Sequence, residues 1–242
     1  AEWVGVTEML VEAVAAKTAD EIERVRRAQA ATCEILRSVY PLLQAGVTER
    51  ETATELVTRH LRAGAERMAF EPIVGSGPNG ALPHARAGDR PLQPGDLVVI
   101  DVGGIFDGYA SDLTRTVAIG EPDDEARDAY AAVLRANEAA IAGATAGVTG
   151  TDLDSLARDV LTEAGLDNYF THSLGHGVGL DVHEWPRLSQ AVEHTLPVGA
   201  TVTIEPGVYL PGRFGIRIED VIALTADGCD NLTPLSKELV VL

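Results

Sequence analysis

Cysteine is nearly absent from this chain: Cys33 and Cys229 stand alone among 242 residues. Two distant thiols exclude a disulfide framework and a cysteine-rich zinc module, and a reducing, cytoplasmic setting is the expectation. Positive charge is also scarce. The 19 Lys and Arg face 37 Asp and Glu, a formal charge of −18, which leaves no basic face for a nucleic-acid backbone or an anionic membrane. No uncharged apolar run approaches the roughly 20 residues of a membrane span, and Glu2, Glu8 and Glu12 stand where a signal segment would be basic. The chain reads as soluble and long enough to bury a substantial core, as one large domain or two small ones. Part of its negative charge is available for binding metal.

Three common motifs are missing as well. The loop Gly75-Ser-Gly-Pro-Asn-Gly80-Ala-Leu-Pro-His84 lacks the Lys-Ser/Thr of a phosphate loop, and Leu180 replaces the last glycine of a dinucleotide fingerprint. His172 and His176 lack the intervening Glu of a zincin.

What is present centres on Val98 to Ile119. Two β-prone runs flank Asp107-Gly108, a dipeptide suited to a two-residue hairpin turn. With those turn residues Phe106 faces Tyr109 and Asp112 lies opposite Gly103, so Asp101 and Asp112 are diagonal neighbours on one face. Such a carboxylate pair is either solvated or joined by a cation or a proton. Asp107 shapes the turn and binds nothing, and Gly103 is expected to leave room for metal.

Capping boxes Thr18-Ala-Asp-Glu21 and Thr48-Glu-Arg-Glu51 open helices that end near Pro41 and Gly64. Further helices are expected over 122–142 and 151–164, the latter closed by Gly165. Residues 1–17 have apolar positions at helical spacing. The second half repeats the first: Gly46-Val-Thr and Ala63-Gly64 recur 101 positions on as Gly147-Val-Thr and Ala164-Gly165, and Ile100-Asp101 recurs as Ile204-Glu205 after 104. About a pseudo-two-fold axis, Glu205 would take the place of Asp101 and Glu219 that of Asp112.

Four carboxylates then converge, and the segment from Thr171 to Pro186 offers His172, His176 and His183 as a further ligand. Gly175, Gly177 and Gly179 strip side chains from around His176, which suits close backbone approach to an ion. Carboxylates with one imidazole favour Mn²⁺, Co²⁺, Fe²⁺ or Zn²⁺. Four acids exceed the needs of one ion, and bridging carboxylates would hold two, roughly 3.5–4 Å apart, about a shared hydroxide.

Asn79-Gly-Ala-Leu-Pro-His84, Ile100-Asp101-Val-Gly, Gly108-Tyr-Ala-Ser-Asp112-Leu-Thr-Arg-Thr, Gly175-His176-Gly-Val-Gly-Leu-Asp-Val-His183-Glu, Thr203-Ile-Glu205-Pro-Gly-Val-Tyr and Gly215-Ile-Arg217-Ile-Glu219-Asp together resemble the Xaa-Pro peptidases. These form the prolidase and aminopeptidase P branch of the pita-bread metallopeptidases. The resemblance spans about residues 18 to 240, with no departure at a ligand position. It implies an α+β pita-bread fold, in which pseudo-two-fold α-α-β-hairpin halves form a curved antiparallel sheet covered by helices. It also implies two divalent ions, commonly manganese, with cobalt or zinc as alternatives. Asp101 would bind one ion, Asp112 and Glu219 would bridge, and His176 with Glu205 would bind the other. Glu205 would handle the proton of the attacking hydroxide. His84, His172 and His183 would surround the substrate, with His183 stabilising the tetrahedral intermediate or passing a proton to the leaving nitrogen, and Arg217 would support the acids. The implied substrates are short peptides with proline second, and the implied assembly is a homodimer.

Relatives carry a domain before the catalytic one, so residues 1–17 are expected to be a linker helix from a missing N-terminal domain and residues 18–242 the catalytic domain. Trp185 is expected to pack in the core, not in the pocket, and His60 and His194 to be structural or solvated. A methionine aminopeptidase shares the fold and ligands, but the 79–84 loop and the segments before His183 and after Glu205 look more like the proline-specific branch. A metal-free binding module or a creatinase-like hydrolase would lack ligands that this chain retains.

Overall fold

The computed structural model describes residues 13–242, so most of the expected linker helix over 1–17 lies outside the described residues. At the end of that segment Ala16 bridges Ala200, and the buried Lys17 pairs with Glu184.

Helices α1 (Ala19–Val39) and α2 (Glu49–Arg62) begin at the two expected capping boxes. In each, the Thr hydroxyl accepts one orphan N–H while the Glu carboxylate accepts the other. Pro41 follows α1 within a 3-10 turn. The expected start of α3 (Asp124–Gly143) at Pro122 is corrected, because the Asp123 carboxylate is the cap and accepts the Ala126 N–H at 2.8 Å. A third box, Thr149 with Asp152, opens α4 (Gly150–Glu163). Gly64 and Gly165, at φ 96° and 72°, follow α2 and α4 in the left-handed conformation that suits a helix end.

In the first half, β1 (Arg67–Met68) and β2 (Ile73–Ser76) precede a long hairpin of β3 (Leu97–Val102), β4 (Gly104–Phe106), β5 (Tyr109–Ala110) and β6 (Leu113–Ala118). Phe106 faces Tyr109 and Val102 faces Leu113, so one register runs through the hairpin and sets Asp112 across from Gly103. Asp107 at φ 50° and Gly108 at φ 77° form the turn. One expectation fails here. A Cβ at Gly103 would collide with the Ser111 carbonyl and the Phe70 ring, so this glycine permits close packing within the hairpin and does not clear space for metal. Asp107 shapes the turn and lies in no cluster of ligand atoms among the described residues, and Arg24 and Arg27 donate to it at 3.1 and 3.2 Å and tie the turn to α1.

The second half repeats the pattern with β9 (Thr201–Ile204), β10 (Gly207–Leu210), β11 (Phe214–Arg217) and β12 (Asp220–Leu224). Ile204 faces Asp220 and Gly207 faces Arg217. Each hairpin is interrupted midway, at Gly103 and Ser111-Asp112 in one and at Glu205-Pro206 and Ile218-Glu219 in the other. Glu219 precedes β12 as Asp112 precedes β6, matching the expected duplication. Glu205 follows β9 as Gly103 follows β3. The expected equivalence of Glu205 with Asp101 is therefore out by two ladder positions.

Strands β7 (Gly175–Gly177), β8 (Glu184–Leu188) and β13 (Cys229–Asn231) complete a ladder ordered β13-β12-β9-β7-β8, beside β2-β3-β6. All pairs are antiparallel. The halves join where Glu219 N–H donates to the Thr114 carbonyl at 3.1 Å and Thr116 Oγ1 donates to the Arg217 carbonyl at 3.0 Å. Leu36 of α1 and Leu56 of α2 pack with Ile100 and Leu113, while Val133 of α3 and Leu153 of α4 pack with Val202 and Ile216. Each such side chain contributes about 1.5–3 kcal/mol on burial. The result is the expected α+β pita-bread arrangement, with helices covering an antiparallel sheet. Among the described residues no helix is long and apolar enough to cross a membrane.

Candidate metal centre

The two hairpin interruptions bring the acids together. Potential ligand atoms of Asp101, Asp112 and Glu219 lie within 4.8 Å of one another, and so do those of His176, Glu205 and Glu219. His176 Nε2 is 3.2 Å from Glu205 Oε1 and 3.6 Å from Asp112 Oδ2. These five residues line a cavity of about 450 Å³.

Hydrogen bonds orient four of the five groups. The Gly177 carbonyl can only accept, so His176 Nδ1 donates to it at 3.0 Å and Nε2 is the nitrogen turned to the acids. Thr203 Oγ1 donates to Glu205 at 3.1 Å, and Thr114 Oγ1 donates to Glu219 at 2.8 Å. Arg217 is the hub: it donates to Asp101 Oδ2 at 2.6 Å, to Thr114 Oγ1 at 3.0 Å and to the Tyr209 hydroxyl at 2.6 Å. Tyr209 in turn donates to His172 Nε2 at 2.9 Å. The glycines around His176 answer to protein neighbours, contrary to the expected approach to an ion. A Cβ at Gly175 or Gly177 would meet the carbonyls of Thr203 or Trp185 on adjacent strands.

Charge makes the cluster unsatisfied by itself. Burial pushes Asp112 well above the usual carboxylate range, reinforced by Glu219, Asp101 and Glu205. Glu219 is pushed up by burial, Glu205 and Asp101, and Asp101 by burial and Glu205 in spite of Arg217. Burial also works to raise Glu205, but the His176 hydrogen bond and charge, with His172 and Arg217, outweigh it and pull the carboxyl down to about 2. Burial would lower His176, yet Glu205 holds its imidazole up at about 9. Asp101 Oδ1 is buried with no hydrogen-bond partner, an arrangement that costs free energy unless a cation or proton meets it. Hard carboxylate oxygens with one oriented imidazole fit a divalent transition-metal ion.

The other expected residues fall around this floor. His84 and His183 line the cavity and are exposed, and the His183 ring stands edge-on to His176 with centroids 4.4 Å apart. His172 also lines the cavity, and burial lowers its basicity. Trp185 is outside the lining and packs edge-on against the exposed His194. His60 is fully buried and donates to the Leu56 carbonyl at 2.8 Å, a structural role. Burial pushes the Cys33 thiol up to about 12. Sequence reasoning missed Tyr209, Thr114 and Thr203 as site residues, although all three stand inside the quoted motifs. Phe70, Arg86 and Arg187, which also line the cavity, carry no spacing signal that singles them out.

Comparison with known proteins agrees with this geometry. The model of metallopeptidase family M24 matches residues 23–226. The Xaa-Pro dipeptidase of Pyrococcus furiosus is 43% identical over 224 residues, 93% of this chain and 64% of that protein. The chain thus spans slightly less than two thirds of that relative's length. The X-Pro aminopeptidase structure from Thermotoga maritima has 41% identity and a TM-score of 0.96, covering 100% of this chain and 68% of the other. For the Xaa-Pro dipeptidase structure from Bacillus anthracis the identity is 39% and the TM-score 0.97, with 100% and 68% covered. With a family match over most of its length, and ligand-type side chains converging on the two interrupted hairpins, the chain belongs to metallopeptidase family M24.

Proposed function

We propose that this chain is the catalytic domain, residues 18–242, of a peptidase that hydrolyses X-Pro bonds in dipeptides or at peptide N-termini. The observation that carries the reading is the convergence of Asp101, Asp112, His176, Glu205 and Glu219 about a buried, unpartnered carboxylate oxygen. These five residues would hold two divalent ions, manganese first among the candidates, with Asp112 and Glu219 shared between them. Bound ions would supply a nucleophilic hydroxide at neutral pH and polarise the scissile carbonyl.

The chain's own residues divide the remaining work. Glu205 takes the proton of the nucleophile, and its hydrogen bond from Thr203 fixes its direction. His183 and His84, exposed at the cavity wall, stabilise the developing oxyanion and return a proton to the leaving nitrogen. An X-Pro bond has no amide hydrogen to offer, so recognition falls to shape: Phe70, Pro72, Ile73 and Pro83 form an apolar wall that suits a pyrrolidine ring. Arg86 and Arg187 supply guanidinium groups suited to the free carboxylate of a dipeptide. Arg217 braces Asp101 directly and Glu219 through Thr114, while Tyr209 links Arg217 to His172. A homodimer in a reducing, cytoplasmic setting completes the reading, supported by the resemblance and by two unpaired cysteines. The charge of −18 supports peptides, not nucleic acid, as partners.

Metal-free protein restored with Mn²⁺, Co²⁺ or Zn²⁺ should cleave Gly-Pro or a longer X-Pro peptide, and the ratio of the two distinguishes dipeptidase from aminopeptidase. Cleavage of a Met-Ala peptide alone would move the assignment to the methionine branch. No cleavage of any substrate would favour a binding role.

A further inference from the structure

An interrupted β-ladder leaves backbone donors and acceptors without their strand partners, and buried orphans are costly. Here both interruptions carry the metal-site acids, so how those orphans are satisfied decides how firmly the acids are held.

At the first interruption the substitute is a side chain. Gln29 of α1 is fully buried and forms a two-way amide pair with the backbone of Asp112. Its Nε2 donates to the Asp112 carbonyl at 2.6 Å, and the Asp112 N–H donates to its Oε1 at 3.1 Å. The same Nε2 donates to Thr233 Oγ1 at 3.0 Å, which itself accepts the N–H of Val221 in β12. One residue of a helix thus stands where the neighbouring strand would be, while the facing Gly103 carbonyl accepts from Ala69 at 2.9 Å.

The second interruption has a counterpart. Asn137 of α3, also fully buried, donates from Nδ2 to the carbonyls of Ile204 at 2.8 Å and Ile218 at 3.3 Å. These residues immediately precede Glu205 and Glu219. Lys237 Nζ donates to Asn137 Oδ1 at 2.8 Å and keeps the amide from rotating.

We infer that Gln29 and Asn137 are positioning residues of the metal centre. Each is a buried amide, carried on the first helix of its half, that replaces the missing ladder and fixes the carboxylates on that side. Gln29 sets Asp112, and Asn137 sets Glu205 and Glu219. Neither touches substrate or ion. A side-chain amide suits the task because it offers donors and an acceptor in one plane, matching a peptide group. The inference rests on the proposed metal-binding role of these acids.

The test measures Mn²⁺ binding by calorimetry on metal-stripped protein, with circular dichroism and the metal-free melting temperature recorded alongside. Gln29→Met and Asn137→Leu keep the approximate volume and remove the polar contacts. Each should weaken Mn²⁺ binding about ten- to hundredfold, the usual cost of losing a group that orients a ligand. A purely structural role would lower the melting temperature and leave the affinity of the folded protein unchanged, and affinity within twofold of wild type would overturn the inference. If Gln29→Met does not fold, Gln29→Asn decides, because it keeps every polar atom and withdraws the amide by one methylene. It should weaken binding at least fivefold, and unchanged affinity would again overturn the inference. Wild-type protein that fails to bind Mn²⁺ would instead defeat the metal assignment itself.

Discussion

Stripping metal from this protein should invert the pH dependence of its stability. In the metal-free cluster His176 is held up at about 9 from an ordinary 6.5 by Glu205, against the opposing effect of burial. A group whose folded pKa is raised stabilises fully below its unfolded value, and that contribution is lost as pH rises through the folded value. At about 1.4 kcal/mol per pKa unit, the His176–Glu205 pair contributes about 3 kcal/mol below pH 6.5, and this disappears by about pH 9. Asp112 and Glu219, raised by burial and by their acidic neighbours, act in the same direction once pH exceeds their unfolded values near 4. Glu205, lowered to about 2, loses its contribution only as pH falls through that value. The pair is counted once.

For a chain of this size, about 3 kcal/mol corresponds to a fall of roughly 10 °C in melting temperature. Thermal melts in chelator at pH 6.5 and pH 9 measure it, and His176→Gln should flatten the slope. With Mn²⁺ present the sign should reverse, because ligation displaces the His176 proton and metal affinity rises with pH. A metal-free melting temperature that is flat or rising between pH 6.5 and pH 9, in the wild type, would refute this electrostatic account of the cluster.

Two further outcomes are expected. Asp112→Asn should abolish metal occupancy and peptidase activity together, measured by elemental analysis and a Gly-Pro assay. Full activity would remove Asp112 from its bridging role. Glu49, fully buried at the start of α2, accepts from Ser76 N–H and Oγ at 2.9 and 2.6 Å, from Asn79 at 3.1 Å and from Gly88 N–H at 3.1 Å, and so clamps the loop that carries His84. Glu49→Ala should lower unfolding stability by about 3 kcal/mol or more in urea titrations, since several buried donors lose their acceptor. A loss below about 1 kcal/mol would show that the loop finds other partners.

Much of the fold was legible because its signals are local. Thr18 with Glu21 and Thr48 with Glu51 announce two helix starts within four residues each, and Asp107-Gly108 sets a hairpin register that carries unbroken to Asp101 and Asp112. Thr149 with Asp152 closes the same kind of box with a shorter acid, outside the Glu/Gln pattern by which a capping box is read in sequence. The duplication was legible in outline. Its exact register was not, because two short matching words cannot show that the second hairpin is interrupted one position beyond β9, at Glu205 itself.

By itself, then, the sequence determined the helix starts, the hairpin turn, the shared face of Asp101 and Asp112, and the residue types of a divalent metal site. Each of these depends on spacing along the chain, through the period of a strand or the reach of a cap. Tertiary structure alone decided that Arg217 joins Asp101, Thr114 and Tyr209, that Phe70, Arg86 and Arg187 face the same cavity, and that Gln29 and Asn137 complete the broken ladders. Those contacts join residues far apart in the chain, and no local pattern marks them. A buried polar side chain is held in place by whichever orphaned backbone group or charge the packed fold brings within hydrogen-bond reach.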